Sequence, residues 1–437
     1  MQQIAFIILS IAAIFFFVRN VKKLRRNILM GKPIDPVDRK NERWRLLVLN
    51  ALGQRKMFKR PIPAVLHFFV YAGFIIINIE ILEIVLDGVL NKHRLFAGML
   101  GGYYAWFIDF FEFLAVATII ACAIFLIRRN ILKIRRFQNI ELRGWPRLDA
   151  NIILFTEILL MIFFLTLNAT DQVLAVKFDH ENAGTFFFSS FLMPIFNGID
   201  EQSLYMVERI GWWGHIIGIF AFLNYLPISK HLHILLSFPN TWYSKLGPMG
   251  KMKNMPEIQK EVQLMLNPDA AASEPPAEPE RFGAKDVADL SWRDLLGAYS
   301  CTECGRCTAV CPANQTGKLL SPRKIMMDTR DRCEEIGRGM DKVGKDFKDE
   351  KSLLGDYIKH EEIMACNTCQ ACVEACPVNI DPLSIIVQLR RYVIMEEAKS
   401  PGEWNVMFGN IENNQAPWQF SPGDRFKWAE EMKGEEA

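Results

Sequence analysis

The sequence predicts an all-α membrane domain of five transmembrane helices, followed by a mainly α-helical, cysteine-rich cytoplasmic domain. Three observations lead there. Apolar runs of membrane length crowd residues 1–240. Residues 250–437 read as ordinary soluble protein. Eight of the ten cysteines lie in two compact groups after residue 300.

A helix crosses the hydrocarbon core with about 20 mostly apolar residues. Segments 3–19, 64–90, 103–127, 151–170 and 210–237 fit that description. The first reads as a retained anchor, because no basic region precedes it and Lys22, Lys23, Arg25 and Arg26 follow it. Loops 20–63 and 128–147 are dense in Lys and Arg, whereas 91–102 and 171–209 are nearly free of them. The positive-inside rule then puts the N-terminus outside and the C-terminal half in the cytoplasm of a bacterial or archaeal cytoplasmic (inner) membrane. Trp212 and Trp213 fall where an outer aromatic belt belongs. A net charge of +2 argues against a nucleic-acid binder.

The expected organisation is a membrane domain at 1–240, a linker at 241–285, the cysteine-rich domain at 286–400 and a tail at 401–437. Segment 267–282 is rich in Pro, Ala and Glu and reads as an extended tether.

The cysteine groups are Cys301, Cys304, Cys307, Cys311 before Pro312, and Cys366, Cys369, Cys372, Cys376 before Pro377. Both follow C-x2-C-x2-C-x3-C-P, the run of two-cluster ferredoxins. Three thiolates two residues apart wrap one face of a cubane, and the fourth is aimed at the other cluster. One [4Fe–4S] cluster is therefore assigned to Cys301, Cys304, Cys307 and Cys376, the other to Cys366, Cys369, Cys372 and Cys311. Zinc also uses C-x2-C pairs, but two complete four-cysteine runs with a following proline fit it poorly. Cys122 and Cys333 read as plain residues.

A histidine inside a span is costly unless used, and binding haem iron is a common use. His67 lies near the cytoplasmic end of the second span. His215 lies near the outer end of the fifth, and His231 and His233 near its cytoplasmic end. If the fifth span is straight, 18 residues make about 27 Å and five whole turns. His67 then matches His231 or His233 in depth rather than His215, His215 and His233 share a face, and His231 points nearly the opposite way. His67 and His233 are thus expected to ligate a haem b, with Lys230 near its propionates. A second haem would use His215, opposite which α-helical rise places Ile77 and Asn78 rather than His. His93 and His180 are placed outside the membrane and His360 on the surface. Glu80, Glu83, Asp109, Glu112 and Glu157 are candidates for proton movement at a quinone site.

Through His67, Gly73–Phe74, His215 and PISKHLH at 227–233, the membrane half resembles the cytochrome b gamma subunit of respiratory nitrate reductase and the haem subunit of membrane-bound heterodisulfide reductase. That resemblance implies haem ligation by His67, His215 and His233. The absence of a second His in span two departs from the two-haem members. The soluble half resembles the iron–sulfur subunit of heterodisulfide reductase through SWRDLLGAYSCTECGRCTAVCPANQTGKLLSPRK, CNTCQACVEACPVNIDP and ENNQAPWQFSPGDRFKW. In fused relatives the last stretch leads into cysteine-rich catalytic domains. The resemblance implies a conduit between menaquinone, haem, two clusters and a separate cytoplasmic cysteine-rich subunit, contacted by the tail. The rivals are a membrane-anchored iron–sulfur redox sensor and a complete enzyme acting alone.

Overall fold

A computed structural model describes residues 2–181, 184–252, 254–267 and 281–435. They form helices and loops, with no strand among the described residues. Most of the expected tether, 268–280, lies outside the described residues. The expected linker also contains a helix, Pro256–Leu266.

Among the described residues, four helices are long and apolar enough to cross a membrane: α1 (Gln2–Ile28), α2 (Pro61–Leu90), α3 (Tyr103–Leu126) and α4 (Trp145–Phe178). A fifth span exists if α5 (Glu201–Tyr225) is taken with α6 (His233–Trp242), across a bend of 90°. Pro61 opens α2, where its missing N–H costs nothing, and Asn91 closes it in the left-handed conformation. Asp200 caps α5 by accepting from the Ser203 N–H at 3.0 Å.

The bend corrects the expectation of one straight span over 210–237. Pro227 cannot continue the helical ladder, and Asp149 of α4 gathers the groups released there. It accepts from Tyr225 Oη at 2.5 Å, Ser229 Oγ at 2.6 Å and Lys230 N at 3.1 Å. The phase argument for a face shared by His215 and His233 therefore fails, as does the inference that His231 points away. Because α5 begins at Glu201, His215 lies in the middle of its helix rather than near the outer end.

Helix α2 packs on α3, α3 on α4, and α4 on α5, while α1 lies against both α2 and α5. No comparable seam joins α2 to α5. At the end far from the cysteines the gap is plugged by Phe6 of α1, whose ring lies 5.6 Å from Trp212 and 6.4 Å from Trp213.

The intramembrane acids fall into two groups. Glu83 accepts from Phe96 N and Tyr104 Oη, Asp109 from Phe187 N, and Glu112 from Asn168, Phe188 N and Ser189 N. These three tie loops to helices and are satisfied in place. Glu80 Oε2 and Glu157 Oε1 are buried with no hydrogen-bond partner. His93, expected outside, joins this far-end network through Asp171, which also binds Arg94.

The cysteine-rich domain is docked on the other end of the bundle. Its helices are α7 (Trp292–Tyr299), α8 (Pro322–Val343) and α9 (Pro382–Met395), which bury Leu295, Ile325, Ile385, Ile386 and Leu389. Ser291 and Ser321 cap α7 and α8. Helix α1 runs on past the expected 3–19, and Lys23 and Arg26 reach Asp341 at 2.5 and 2.6 Å. Beyond it the chain runs beside 290–292, with Lys32 N bonded to Leu290 O at 2.7 Å. A Cβ on Gly31 would lie 2.6 Å from Trp292 N, so only glycine permits this approach.

The loop before α4 adds a buried ion pair. Arg323, with no exposed surface, binds Glu141 at 2.7 Å and donates to Arg136 O at 2.7 Å. Burial pushes the Glu141 carboxyl up, but Arg323 and the Ser321 hydroxyl hold it below its ordinary value. A carboxyl depressed by folding adds stability that is full above its unfolded pKa and lost as pH falls through the folded one. Docking should therefore loosen as pH drops below the ordinary 4.5. Glu141→Ala leaves Arg323 buried without its partner and should cost about 3–5 kcal/mol. Replacing both residues by apolar ones should cost less. Thermal unfolding of the two variants, with a pH series on the parent, checks both statements.

Candidate functional site

The two cysteine groups are copies in backbone as well as in sequence. The second residue after each first cysteine takes a positive φ, 56° at Glu303 and 53° at Thr368. So does the residue after each second cysteine, 71° at Gly305 and 64° at Gln370. One-turn helices follow, Arg306–Ala309 and Ala371–Ala375, and each fourth cysteine returns to extended backbone before its proline. Left-handed residues in a tight turn point successive N–H groups into the concavity. Here Glu303 N reaches Cys301 Sγ at 3.4 Å, Thr368 N reaches Cys366 Sγ at 3.4 Å and Ile380 N reaches Cys376 Sγ at 3.3 Å.

The sulfurs sort by neighbourhood. Cys307 stands beside Cys301, Cys304 and Cys376, and Cys372 acts on it more weakly. Cys311, Cys366, Cys369 and Cys372 line one cavity together with Leu383 and Ile386. The fourth cysteine of each run is thus among the first three of the other. Burial pushes the Cys301 thiol up to about 12 and that of Cys376 to about 11, and in both Cys304 adds to the rise. Such crowded sulfurs hold negative charge only beside a compensating cation. Among the described residues no three His, Cys, Asp or Glu side chains close around a single ion. Cys369 is exposed, which puts the second group toward the surface. Cys122 and Cys333 are buried away from both groups, Cys122 within α3 and Cys333 within α8.

Basic side chains surround the first group on its membrane side. Lys56 Nζ donates to Cys376 O at 3.4 Å, and Arg306 donates to Lys56 O and Met57 O at 3.3 and 3.4 Å. Lys230, expected near haem propionates, is bound to Glu303 and donates to Pro146 O at 2.6 Å. Glu303 also takes Arg330 at 2.9 Å. Apart from Lys230, the sequence singles out none of these docking residues. Their partners are distant along the chain, so no spacing announces them. A glutamate inside a C-x2-C step was the one local hint.

The structure brings His67 and His233 together, with ring centroids 6.3 Å apart. His67 Nδ1 bonds Gln54 Oε1 at 3.1 Å, and His233 Nδ1 donates to Lys230 O at 3.0 Å. The proton thus sits on Nδ1, and each Nε2 keeps its lone pair. His231 packs against His233, Phe222 and Phe74, at centroid distances of 5.7, 5.0 and 6.0 Å. His215 is apart from this cluster. Its Nδ1 donates to Leu160 O at 2.9 Å, and its buried Nε2 has no partner. His180 bonds Glu201 and His360 bonds Glu397 at the surface.

A 4Fe-4S dicluster domain family matches residues 300–380. The "Probable iron-sulfur-binding oxidoreductase FadF" of Bacillus subtilis is 26% identical over 98% of this chain and 61% of its own length. The "EtfAB:quinone oxidoreductase" of Syntrophomonas wolfei is 27% identical over 98% of this chain and 60% of its own. One polypeptide of the ferredoxin/F(420)H(2)-dependent CoB-CoM heterodisulfide reductase of Methanosarcina acetivorans is 32% identical over 27% of this chain and 60% of its own. The chain therefore spans about three fifths of the length of these curated relatives. No solved structure matches. With its apolar helices, the chain is a multi-pass membrane iron–sulfur protein carrying a 4Fe–4S domain at its C-terminal side.

The repeated loops give a paired test. Gly305→Ala puts a Cβ on a left-handed residue and against the Arg323 guanidinium, and should cost about 1 kcal/mol or more. Gln370→Gly removes the same strain from the second loop and should raise the thermal midpoint.

Proposed function

We propose that this chain is a membrane electron-transfer subunit. In this reading a haem b held by His67 and His233 and two [4Fe–4S] clusters link the (mena)quinone pool to a separate cytoplasmic subunit with cysteine-rich domains. The observation that carries the proposal is the adjacent pair of imidazoles. A metal–imidazole bond of about 2.0 Å, plus roughly 1.1 Å from nitrogen to ring centre on each side, gives centroids about 6.2 Å apart. The pair stands at 6.3 Å with both Nε2 lone pairs available. Gln54 and Lys230 O hold the rings in the ligating tautomer, the role of outer-shell partners at metal sites.

For the clusters the proposal keeps the crossed assignment, Cys301, Cys304, Cys307 and Cys376 for one and Cys366, Cys369, Cys372 and Cys311 for the other. Haem and clusters, when bound, supply one-electron carriers. The protein sets their order. The first cysteine group faces the histidine end of the bundle, and Arg306 stands within electrostatic reach of His67, Cys304 and Cys376. The second group, with exposed Cys369, lies toward the surface. The position opposite His215 holds Ile77 and Asn78, so the proposal assigns a single haem.

Several features support the rest of the reading. The name of the Syntrophomonas relative includes a quinone. Basic loops cluster at the docked end, as cytoplasmic loops do. The tail helices α10 (Gly402–Asn414) and α11 (Lys427–Glu435) flank exposed Trp418, Phe420 and Phe426, and α11 carries exposed Trp428. Clustered exposed aromatics suit a partner interface.

His67→Ala and His233→Ala should each abolish a quinol-reducible b-type absorption band while leaving the iron–sulfur signals. Cys311→Ser should damage the cluster of the second group and Cys376→Ser that of the first, read as separate signals by electron paramagnetic resonance. Clusters without any haem in the purified protein would favour the redox sensor.

A further inference from the structure

The gap between α2 and α5 continues past His231 into a cavity of about 120 Å³. Phe74, Asn78, Thr118, Glu157, His215 and Phe222 are among its walls. Three of its polar atoms are buried with no hydrogen-bond partner: His215 Nε2, Glu157 Oε1 and Thr118 Oγ1. Their residues are 1%, 6% and 2% exposed. Polar atoms buried in an apolar wall without partners are a standing cost, which a ligand in the cavity removes.

The chemistry of those atoms selects the ligand. His215 gives its Nδ1 proton to Leu160 O, so Nε2 can only accept. The Glu157 carboxyl keeps an acceptor oxygen whether or not it is protonated, and the threonine hydroxyl adapts to either role. The complement of two acceptors in an apolar chamber is an apolar body with O–H donors. Size narrows it further. A cavity of about 150 Å³ takes one benzene ring, so this one is on the scale of a small aromatic head group and far below a porphyrin. Asn78 is exposed on the outer surface of α2, and Ile81 and Leu223 are half-buried beside it, which opens the mouth toward lipid.

We propose that this cavity binds the ring of a quinol, with hydroxyls bonded to His215 Nε2 and Glu157 Oε1. The proposal rests on the quinone-linked reading above and adds the location and the redox form. His231 divides the cavity from the His67–His233 pair. Its Nε2 lies 3.6 Å from Glu157 Oε1, and its ring packs against that of His233. The bound ring would thus be one imidazole away from the proposed haem ligand.

The test is a fluorescence-quenching titration of the full, detergent-solubilised chain with a 2-alkyl-4-hydroxyquinoline N-oxide, a quinol analogue that donates an O–H. The parent should bind saturably. His215→Leu and Glu157→Leu should each weaken binding about tenfold or more. Ile77→Phe, which fills the chamber without touching a polar group, should do the same. Haem and cluster absorption should stay at parental levels in all three. Parental affinity in all three variants would overturn the location while leaving the quinone-linked function standing. Loss of the b-type band in His215→Leu would make His215 a haem ligand and overturn the proposal. No saturable binding by the parent would overturn both the cavity and the quinone-linked reading.

Discussion

Glu303 registers the two halves of this molecule against each other. It lies between Cys301 and Cys304, almost fully buried, and takes Lys230 from the bend after α5 and Arg330 from α8. Burial pushes its carboxyl up, yet the two cations together hold it below its ordinary value. Charges withdrawn from water are tolerated only when paired and bonded on every side. The triad therefore has few alternative arrangements. Lys230 stands three residues before His233 and accepts the His233 Nδ1 proton on its backbone oxygen. One carboxylate thus fixes where the first cysteine loop stands relative to the histidine pair.

The bundle divides its work along its length. At the far end Glu83, Glu112, Asp171 and Arg94 bind one another or loop N–H groups, so their cost is met internally and the helices are pinned. Toward the cysteines the seam between α2 and α5 stays open, and His67 and His233 stand together there. Open seams in a helix bundle are where cofactors are held. The cysteine loops follow the same logic at smaller scale, since left-handed turns aim N–H groups at sulfur. Hydrogen bonds to sulfur are a recognised means of setting cluster potential.

Much of this was legible in the sequence because the signals are local. Apolar runs of span length and a C-x2-C-x2-C-x3-C-P spacing are read within a few dozen residues. The depth match of His67 and His233 rested on a straight fifth span, yet the two rings are adjacent in the bent structure. The phase argument failed because it assumed an unbroken helix, and Pro227 with Asp149 turns the chain by 90°. The docking pairs were invisible. Arg323 and Glu141 are 182 residues apart and Lys230 and Glu303 are 73, so neither leaves a periodic trace. The two kinds of intramembrane acid were likewise indistinguishable until the loops that satisfy Glu83, Asp109 and Glu112 were in place.

The central question is whether the membrane half and the cysteine-rich half form one electrical path. The direct measurement is anaerobic mixing of the purified, cofactor-loaded chain with a reduced quinol, following haem absorption and low-temperature resonance signals of the clusters in the same samples. The account predicts that haem and clusters are both reduced, and that clusters stay oxidised in His67→Ala. Clusters that reduce equally well without the haem, or never respond to quinol although chemically reducible, would contradict it.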